Sequence, residues 1–465
     1  MNAERTIYVY ADWLPEGPVL MGILFAAGNR GKESFSFSYS KDWLQRSDAA
    51  VVLDPDLYSY EGRQYTPSDK SLFGVFSDSC PDRWGRLLMR RREAIAARYE
   101  GRKPRALLES DYLLGVYDET RMGGLRYSLE EGGVFQSSDR SLAAPPWTKL
   151  RTLEAASIAF ENEDDPEEEK WLRQLLAPGS SLGGARPKAS VTAPDGSLWI
   201  AKFPSKHDEW NTGAWEITTH DLAKLCGLNV PEARMGRFSQ NGGTFLTKRF
   251  DRDGARRIHF ESAMTLLGRT DGVEDASYLD IASFIRSCGA APERDLRELW
   301  ARIVFNIAVS NTDDHLRNHG FLLTESGWRL APAYDVNPNI YGGGLSLNIS
   351  KEDNSLDFGL ALETAGFYGV SPSEAERIVS DTKETVERNW QPIAESHGLS
   401  REAMRRMAPA FEMEYKGCVP SPGKGRSVSL EHEKQDCRAA SKQLDGVERA
   451  SSGKELGGRK SREKD

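Results

Sequence analysis

SNTDDHLRNHGFLL, residues 310–323, decides how this chain is read. Asp313 and Asn318 stand five residues apart, and a short apolar run follows them. That spacing suits phosphoryl transfer. The chemistry needs a carboxylate that orients the attacking hydroxyl and accepts its proton, and close by an amide oxygen able to hold magnesium. An isolated D-x-x-x-x-N is a weak signal, because a polar loop with Asx turns uses the same residues.

The weight comes from the flanks. Downstream, WRLAPAYDVNP places Asp335 after another short strand, 22 residues beyond Asp313. A second acidic residue at a strand end suits magnesium, which takes hard oxygen ligands and keeps waters plus one or two carboxylates. By itself Asp335 could equally be a turn former. Upstream, Lys202 lies inside the apolar strand LWIAKFP, where a charge needs a partner, and Glu216 in the next helix is the natural candidate. A strand lysine oriented by a helix glutamate brings a compact cation to nucleotide phosphates. Without that role Lys202 would be an edge-strand lysine facing water.

Further upstream, GSSLGGARPK (179–188) has three glycines and precedes a strand, so its backbone N–H groups can approach phosphate oxygens. It is not a Walker A motif, which requires G-x-x-x-x-G-K-[ST]. Glycine-rich loop, strand lysine, helix glutamate, D-x-x-x-x-N and late aspartate occur here in one order, and joint chance agreement is much rarer than any single match. His315 and His319 lie four apart, but with no third ligand evident they read as structural hydrogen-bonding groups. Arg317 between them could bridge to a phosphate or to a neighbouring carboxylate.

Local patterns around these motifs predict an α+β chain. TIYVYADW, VLMGILFAA and SFSFSY read as strands. A helix is expected in SDSCPDRWGRLLMRRREAIAARYE, with Ser79 as cap, Pro81 near the first turn and Arg90–Arg92 on a solvated face. KASVTA, a Pro-Asp-Gly turn at 194–196 and LWIAKF form a hairpin. WEITTHDLAKLCGLNVPE reads as a helix stopped by Gly227 and Pro231, GTFLTKRFDR as a strand, and ERDLRELWARIVFNIAVS as a buried helix. Composition shifts near 128–172, where ENEDDPEEE follows a Gly/Ser/Pro-rich stretch, and again after about Gly417, where large apolar side chains nearly vanish. The expected division is an N-terminal α/β subdomain (1–150), a small β-rich lobe (151–255), a larger helical lobe (256–416) and a disordered tail (417–465).

These residues resemble the HipA-type serine/threonine kinases, the toxins of type II toxin–antitoxin systems. The resemblance runs from about Ile7 to about Pro409. It is carried by FSDSCPDRWGR, SLGGARPK, IAKFP, LAKLCGLNVPEA, TKRFDR, NTDDHLRNHGFL and APAYDVNP, the last two being the most specific. It implies a two-lobed protein-kinase-like fold behind an N-terminal subdomain, with ATP and Mg2+ as cofactors and protein hydroxyls as acceptors. Position by position it implies Asp313 as catalytic base and Asn318 and Asp335 as magnesium ligands. Lys202, Glu216, Gly183, Gly184, Ala185, Lys248 and Arg249 become the nucleotide-binding set. Ser181, seven residues before Lys188, matches the autophosphorylated serine whose modification expels the glycine-rich loop, with Ser180 as the substitute. Two departures stand out: Asp314 where some members have glycine, and Pro187 beside Lys188. Neither removes a required group.

The resemblance further implies a HipB-like helix-turn-helix antitoxin as partner, DNA contact only through it, and a protein substrate such as an aminoacyl-tRNA synthetase. A corepressor scaffold without catalysis and a small-molecule or lipid kinase remain the alternatives. The intact set Lys202, Asp313, Asn318 and Asp335 favours an enzyme over a scaffold.

Composition narrows the class. With 465 residues, 39% hydrophobic and 28% charged, the chain should form two or three packed units. The net charge of −9, from 61 basic and 70 acidic residues, disfavours strong direct binding to nucleic acid. No uncharged apolar run approaches the roughly 18 residues of a membrane-spanning helix. The start MNAERTIYVYADWL lacks a basic segment followed by an apolar core, so no secretory signal and a cytoplasmic location are expected. Five cysteines without any C-x-x-C pair indicate neither a disulfide framework nor a thiolate zinc site.

Overall fold

The first three apolar runs form β1 (Arg5–Ala11), β2 (Val19–Asn29) and β3 (Lys32–Tyr39), an antiparallel meander. This computed structural model describes residues 4–29, 31–46, 51–139, 143–161, 175, 186–272, 275–413 and 416. Period-two alternation turns Ile7 and Val9 of β1 and Phe35 and Phe37 of β3 inward. With β4 (Gln64–Tyr65), β5 (Leu125–Ser128) and β6 (Phe135–Gln136) they make a six-stranded antiparallel sheet in the order β4-β3-β2-β1-β5-β6. The helix expected after residue 79 spans Arg83–Tyr99, and its cap is Asp82, whose Oδ1 accepts from the Gly85 N–H at 2.7 Å. Ser79 is buried one turn earlier and is not the cap, since a carboxylate at the helix end satisfies the orphan N–H groups better. Arg90 is exposed while Arg91 and Arg92 are half-buried, so only part of that run is a solvated face.

A second antiparallel sheet has the order β7-β8-β10-β9, from β7 (Lys188–Thr192), β8 (Leu198–Lys202), β9 (Ala233–Gly236) and β10 (Thr244–Lys248). The β7–β8 hairpin turns at Gly196, whose φ of +84° glycine adopts without strain. Along β8 burial alternates: Trp199 and Ala201 join Leu150, Leu153, Val191 and Leu246 in a small core, and Ile200 and Lys202 face the other way. The helix Leu150–Phe160 covers that core. The helix Thr212–Leu225 carries Glu216 and stops where Gly227 takes φ +80°.

A short hairpin, β11 (Arg252–Asp253) with β12 (Arg256–Arg257), leads into β13 (Phe260–Ser262), β14 (Gly320–Thr324) and β15 (Gly327–Leu330), which pair as a third sheet. Around it pack helices Tyr278–Cys288, Pro292–Val309 and Pro372–Ser396. Pro292 opens its helix, and from Leu299 onward nearly every residue is buried, as the dense apolar pattern predicts. One hydrophobic core runs from Ile7 and Phe37 through Trp215 to Trp300, Ile303 and Trp390. The described residues all fall within a single compact unit, Met1–Gly417. The tail from 417 lies outside the described residues. Among those described, no helix is long and apolar enough to cross a membrane.

Candidate active site

Lys202, at the end of β8, faces a cleft shared by the second sheet, the Thr212–Leu225 helix and the 333–336 segment. Its Nζ donates to Glu216 Oε1 at 2.5 Å and to Asp335 Oδ1 at 2.6 Å. Strand, helix and loop therefore converge on one ammonium, as the sequence predicts for Lys202 and Glu216. Burial alone would lower the Lys202 pKa, but the charges of Asp335 and Glu216 outweigh it and hold the amine protonated well above the usual lysine range. Burial pushes Asp335 up, yet Lys202 more than offsets this and leaves its carboxyl at about 2. In Glu216 burial wins over the attraction of Lys202, and its carboxyl is raised.

Asp335 adopts φ +58°, a left-handed backbone that costs a non-glycine residue about 1–3 kcal/mol. Its neighbours hold it there: Thr219 Oγ1 donates to the Val336 carbonyl at 2.6 Å, and Asn311 Oδ1 accepts from the Asn337 N–H at 3.3 Å. The strain is thus maintained by the helix that carries Glu216 and by the loop before Asp313.

In that loop Asp313 is exposed, and Asn318 Nδ2 donates to its backbone carbonyl at 2.9 Å, closing the five-residue span. The amide oxygen of Asn318 is left as the acceptor end. Partial desolvation, together with the charges of Asp335 and Asp314, raises the Asp313 carboxyl, with His315 opposing. Asp314 turns inward instead: one of its oxygens accepts from Tyr278 Oη at 2.5 Å, Asn306 Nδ2 at 2.7 Å and His319 Nε2 at 2.9 Å. It anchors the loop to two helices. His319 thereby takes the structural role expected of it. Arg317 forks onto Asp271 at 2.9 and 3.0 Å, so its partner here is a carboxylate.

Lys248 lines the cleft and is half-buried. Arg249 also lines it, but its guanidinium is fully buried and donates to Asp251 and to the carbonyls of Thr120 and Arg121. Its charge is compensated inside the fold by Asp251. Ser181, its substitute Ser180, and Gly183, Gly184 and Ala185 lie outside the described residues. Among the described residues no group of three His, Cys, Asp or Glu side chains could hold a metal. The oxygen donors of Asn318 and Asp335 fit magnesium, which draws most of its shell from water and phosphate.

Sequence reasoning missed three groups in the cleft. Asp78 lines it and accepts from the Ser262 N–H at 2.7 Å and hydroxyl at 2.9 Å. Thr247 Oγ1 is buried there without a hydrogen-bond partner. Lys188 lines it too, paired with Asp82. Asp78 and Asp82 stand in FSDSCPDRWGR, but their partners lie more than a hundred residues away, and no local pattern pairs them. Ile200, Ala223, Val230, Phe245 and Val336 give the cleft an apolar wall.

A small antiparallel sheet on a mainly helical lobe, with a strand lysine, a helix glutamate and a loop aspartate meeting in the cleft, makes a kinase-like fold. Residues 180–390 match the family model of the HipA-like C-terminal domain. Through this domain the chain is similar to the HipA-type kinases. It is 28% identical over 254 residues to the kinase-named protein Y4mE of Sinorhizobium fredii, covering 49% of this chain and 53% of that protein. Over 281 residues it is 25% identical to the serine/threonine-protein kinase toxin HipA of Shewanella oneidensis, covering 49% of this chain and 62% of the relative. The chain thus spans little more than half the length of the first of these relatives. Among solved structures, the complex of Shewanella oneidensis HipA, HipB and operator DNA aligns with a TM-score of 0.58 at 16% identity, over 87% of this chain and 95% of that one. At this identity the likeness is one of fold.

Proposed function

We propose that this protein is an ATP-dependent serine/threonine protein kinase acting as the toxin of a type II toxin–antitoxin system. The observation that carries the reading is the convergence of Glu216 and Asp335 on the Lys202 ammonium, from segments 133 residues apart in the second case. A lysine held charged beside an apolar wall suits a nucleotide, with the base against Ile200, Phe245 and Val336 and the phosphates at Lys202. Asp313 accepts the proton of the acceptor hydroxyl as its oxygen bonds to the γ-phosphorus and the bond to the β–γ bridging oxygen breaks, leaving ADP. The raised carboxyl of Asp313 makes it a better base. Asn318 and Asp335 would hold magnesium, which when bound neutralises charge on the transferring group. Around this site we divide the chain into an N-terminal subdomain (1–150), a small lobe (151–255) and a helical lobe (256–416).

The same reading assigns a HipB-like antitoxin as partner, DNA contact only through it, a cytoplasmic location, an aminoacyl-tRNA synthetase as one class of target, and self-inhibition by phosphorylation of Ser181. The relative whose solved structure holds HipB and operator DNA supports the antitoxin. The test is phosphate transfer from labelled ATP with magnesium to serine, compared with Asp313→Ala. Transfer should fall by roughly 100-fold or more while affinity for an ATP analogue holds, because the base acts on the acceptor. Wild-type transfer rates in Asp313→Ala would refute the assignment, and a wild-type protein that binds no ATP would favour the scaffold.

A further inference from the structure

The β7–β8 register sets Lys188 directly opposite Lys202. Two like charges facing each other across a strand pair repel, and both side chains line the same cleft. Each is balanced by a different part of the chain. Lys202 is held by Glu216 and Asp335, whereas the Lys188 ammonium lies 2.8 Å from Asp82 Oδ2, with the two side chains only 2% and 3% exposed.

Asp82 belongs to the N-terminal part of the chain and caps the Arg83–Tyr99 helix with its other oxygen. One residue into that helix, Trp84 Nε1 donates to the Lys188 backbone carbonyl at 3.1 Å. Trp84 is itself fixed, edge-on against Phe160 at 5.5 Å, in a small core with Leu88 and Ala156. Backbone and ammonium of Lys188 are therefore both gripped by the start of one helix. The gripped residue opens the strand that follows the glycine-rich segment. The Lys188 charge also reaches Asp335 and helps keep it ionised.

A buried ion pair is a poor source of net stability, because desolvation consumes most of the Coulomb gain. Its value here is position. We propose that Asp82 is a positioning residue of the nucleotide site, through which the N-terminal subdomain holds Lys188 beside Lys202 so that both ammoniums meet the nucleotide phosphates. This rests on the kinase reading above. The N-terminal subdomain is thereby a working part of the site: whatever shifts the Asp82–Trp84 turn shifts the second phosphate-facing cation.

The experiment measures ATP-analogue affinity by calorimetry, and the thermal midpoint, for the full chain. Asp82→Asn keeps the side-chain volume and a competent cap but removes the charge. It should weaken the analogue by about tenfold or more, the loss expected of a charge-assisted hydrogen bond, while Asp82→Glu retains more affinity than Asp82→Asn. In a Lys188→Met background, Asp82→Asn should cause no further loss. That pair leaves no buried unmatched charge, so the comparison stands even where Asp82→Asn alone folds poorly. A staple with no role in binding gives the opposite pattern: a lowered midpoint with unchanged affinity, or the same loss in both backgrounds. Either result overturns the proposal. Wild-type protein that binds no analogue would instead refute the kinase reading, and the proposal with it. Normal wild-type binding with an unaffected Asp82→Asn refutes the proposal alone.

Discussion

Replacing Lys202 by methionine should turn the centre of the site into a pH-sensitive weak point. The Glu216 side chain is 4% exposed and Lys202 lies 2.5 Å from it, so Lys202→Met leaves a buried carboxylate without its cation. Breaking a buried pair in this way costs about 3–5 kcal/mol. Asp335 is 36% exposed, and its share is much smaller, about 0–1 kcal/mol. The Glu216 carboxyl is already raised by burial with Lys202 present, and removing the cation raises it further. A carboxyl whose folded pKa exceeds its unfolded value binds more protons folded than unfolded, so its stability contribution is lost as pH rises through the folded value. The Lys202→Met deficit should accordingly be greater at pH 8 than at pH 5, because falling pH favours uptake of a proton by Glu216. Urea unfolding midpoints at both pH values read this directly, and adding Glu216→Gln, which is neutral and similar in volume, should recover most of the loss at pH 8. An equal deficit at both pH values, or a double variant no more stable than Lys202→Met, would show that the buried charge is not the cause.

Gly213 opens the Glu216 helix against the backbone of Gly243, and an added Cβ would overlap the Gly243 carbonyl. Gly213→Ala should therefore cost about 1–3 kcal/mol and weaken ATP-analogue binding by displacing Glu216; unchanged affinity in calorimetry would separate the helix start from the site. Asp54 is wholly buried, accepts from the N–H groups of Asp56 and Val75, and is pushed up to about 6 by burial. Its contribution is complete below about pH 4 and lost as pH rises through 6, so Asp54→Asn should flatten the fall in urea midpoint between pH 4.5 and 7; an unaltered slope would assign that fall to other groups.

Much of the fold was legible because its signals are local. Alternation in TIYVYA and LWIAK marks strands and tells which side chains share a face, so the cleft-facing direction of Lys202 follows from its step to Trp199 and Ala201. The dense apolar run of Pro292–Val309 marks a buried helix in the same way. The spacing from Asp313 to Asn318 fits a single loop closed by one hydrogen bond. What escaped was every role set by a distant partner. Asp313 and Asp314 are identical side chains in adjacent positions, yet one is exposed and the other is buried under a tyrosine, an asparagine and a histidine. Arg249 reads as an unpaired cleft cation, although Asp251 and the carbonyls of Thr120 and Arg121 take its guanidinium bonds. Asp82 reads as one more acid before a helix, although its second oxygen meets a lysine 106 residues away. Sequence by itself determined which groups this protein has and which local element carries each. The tertiary structure decided which of them stay in water and which lose it, and so which charges are spent on holding the fold and which face the cleft, because a charged group's role depends on its solvation and its neighbours rather than on its place in the chain.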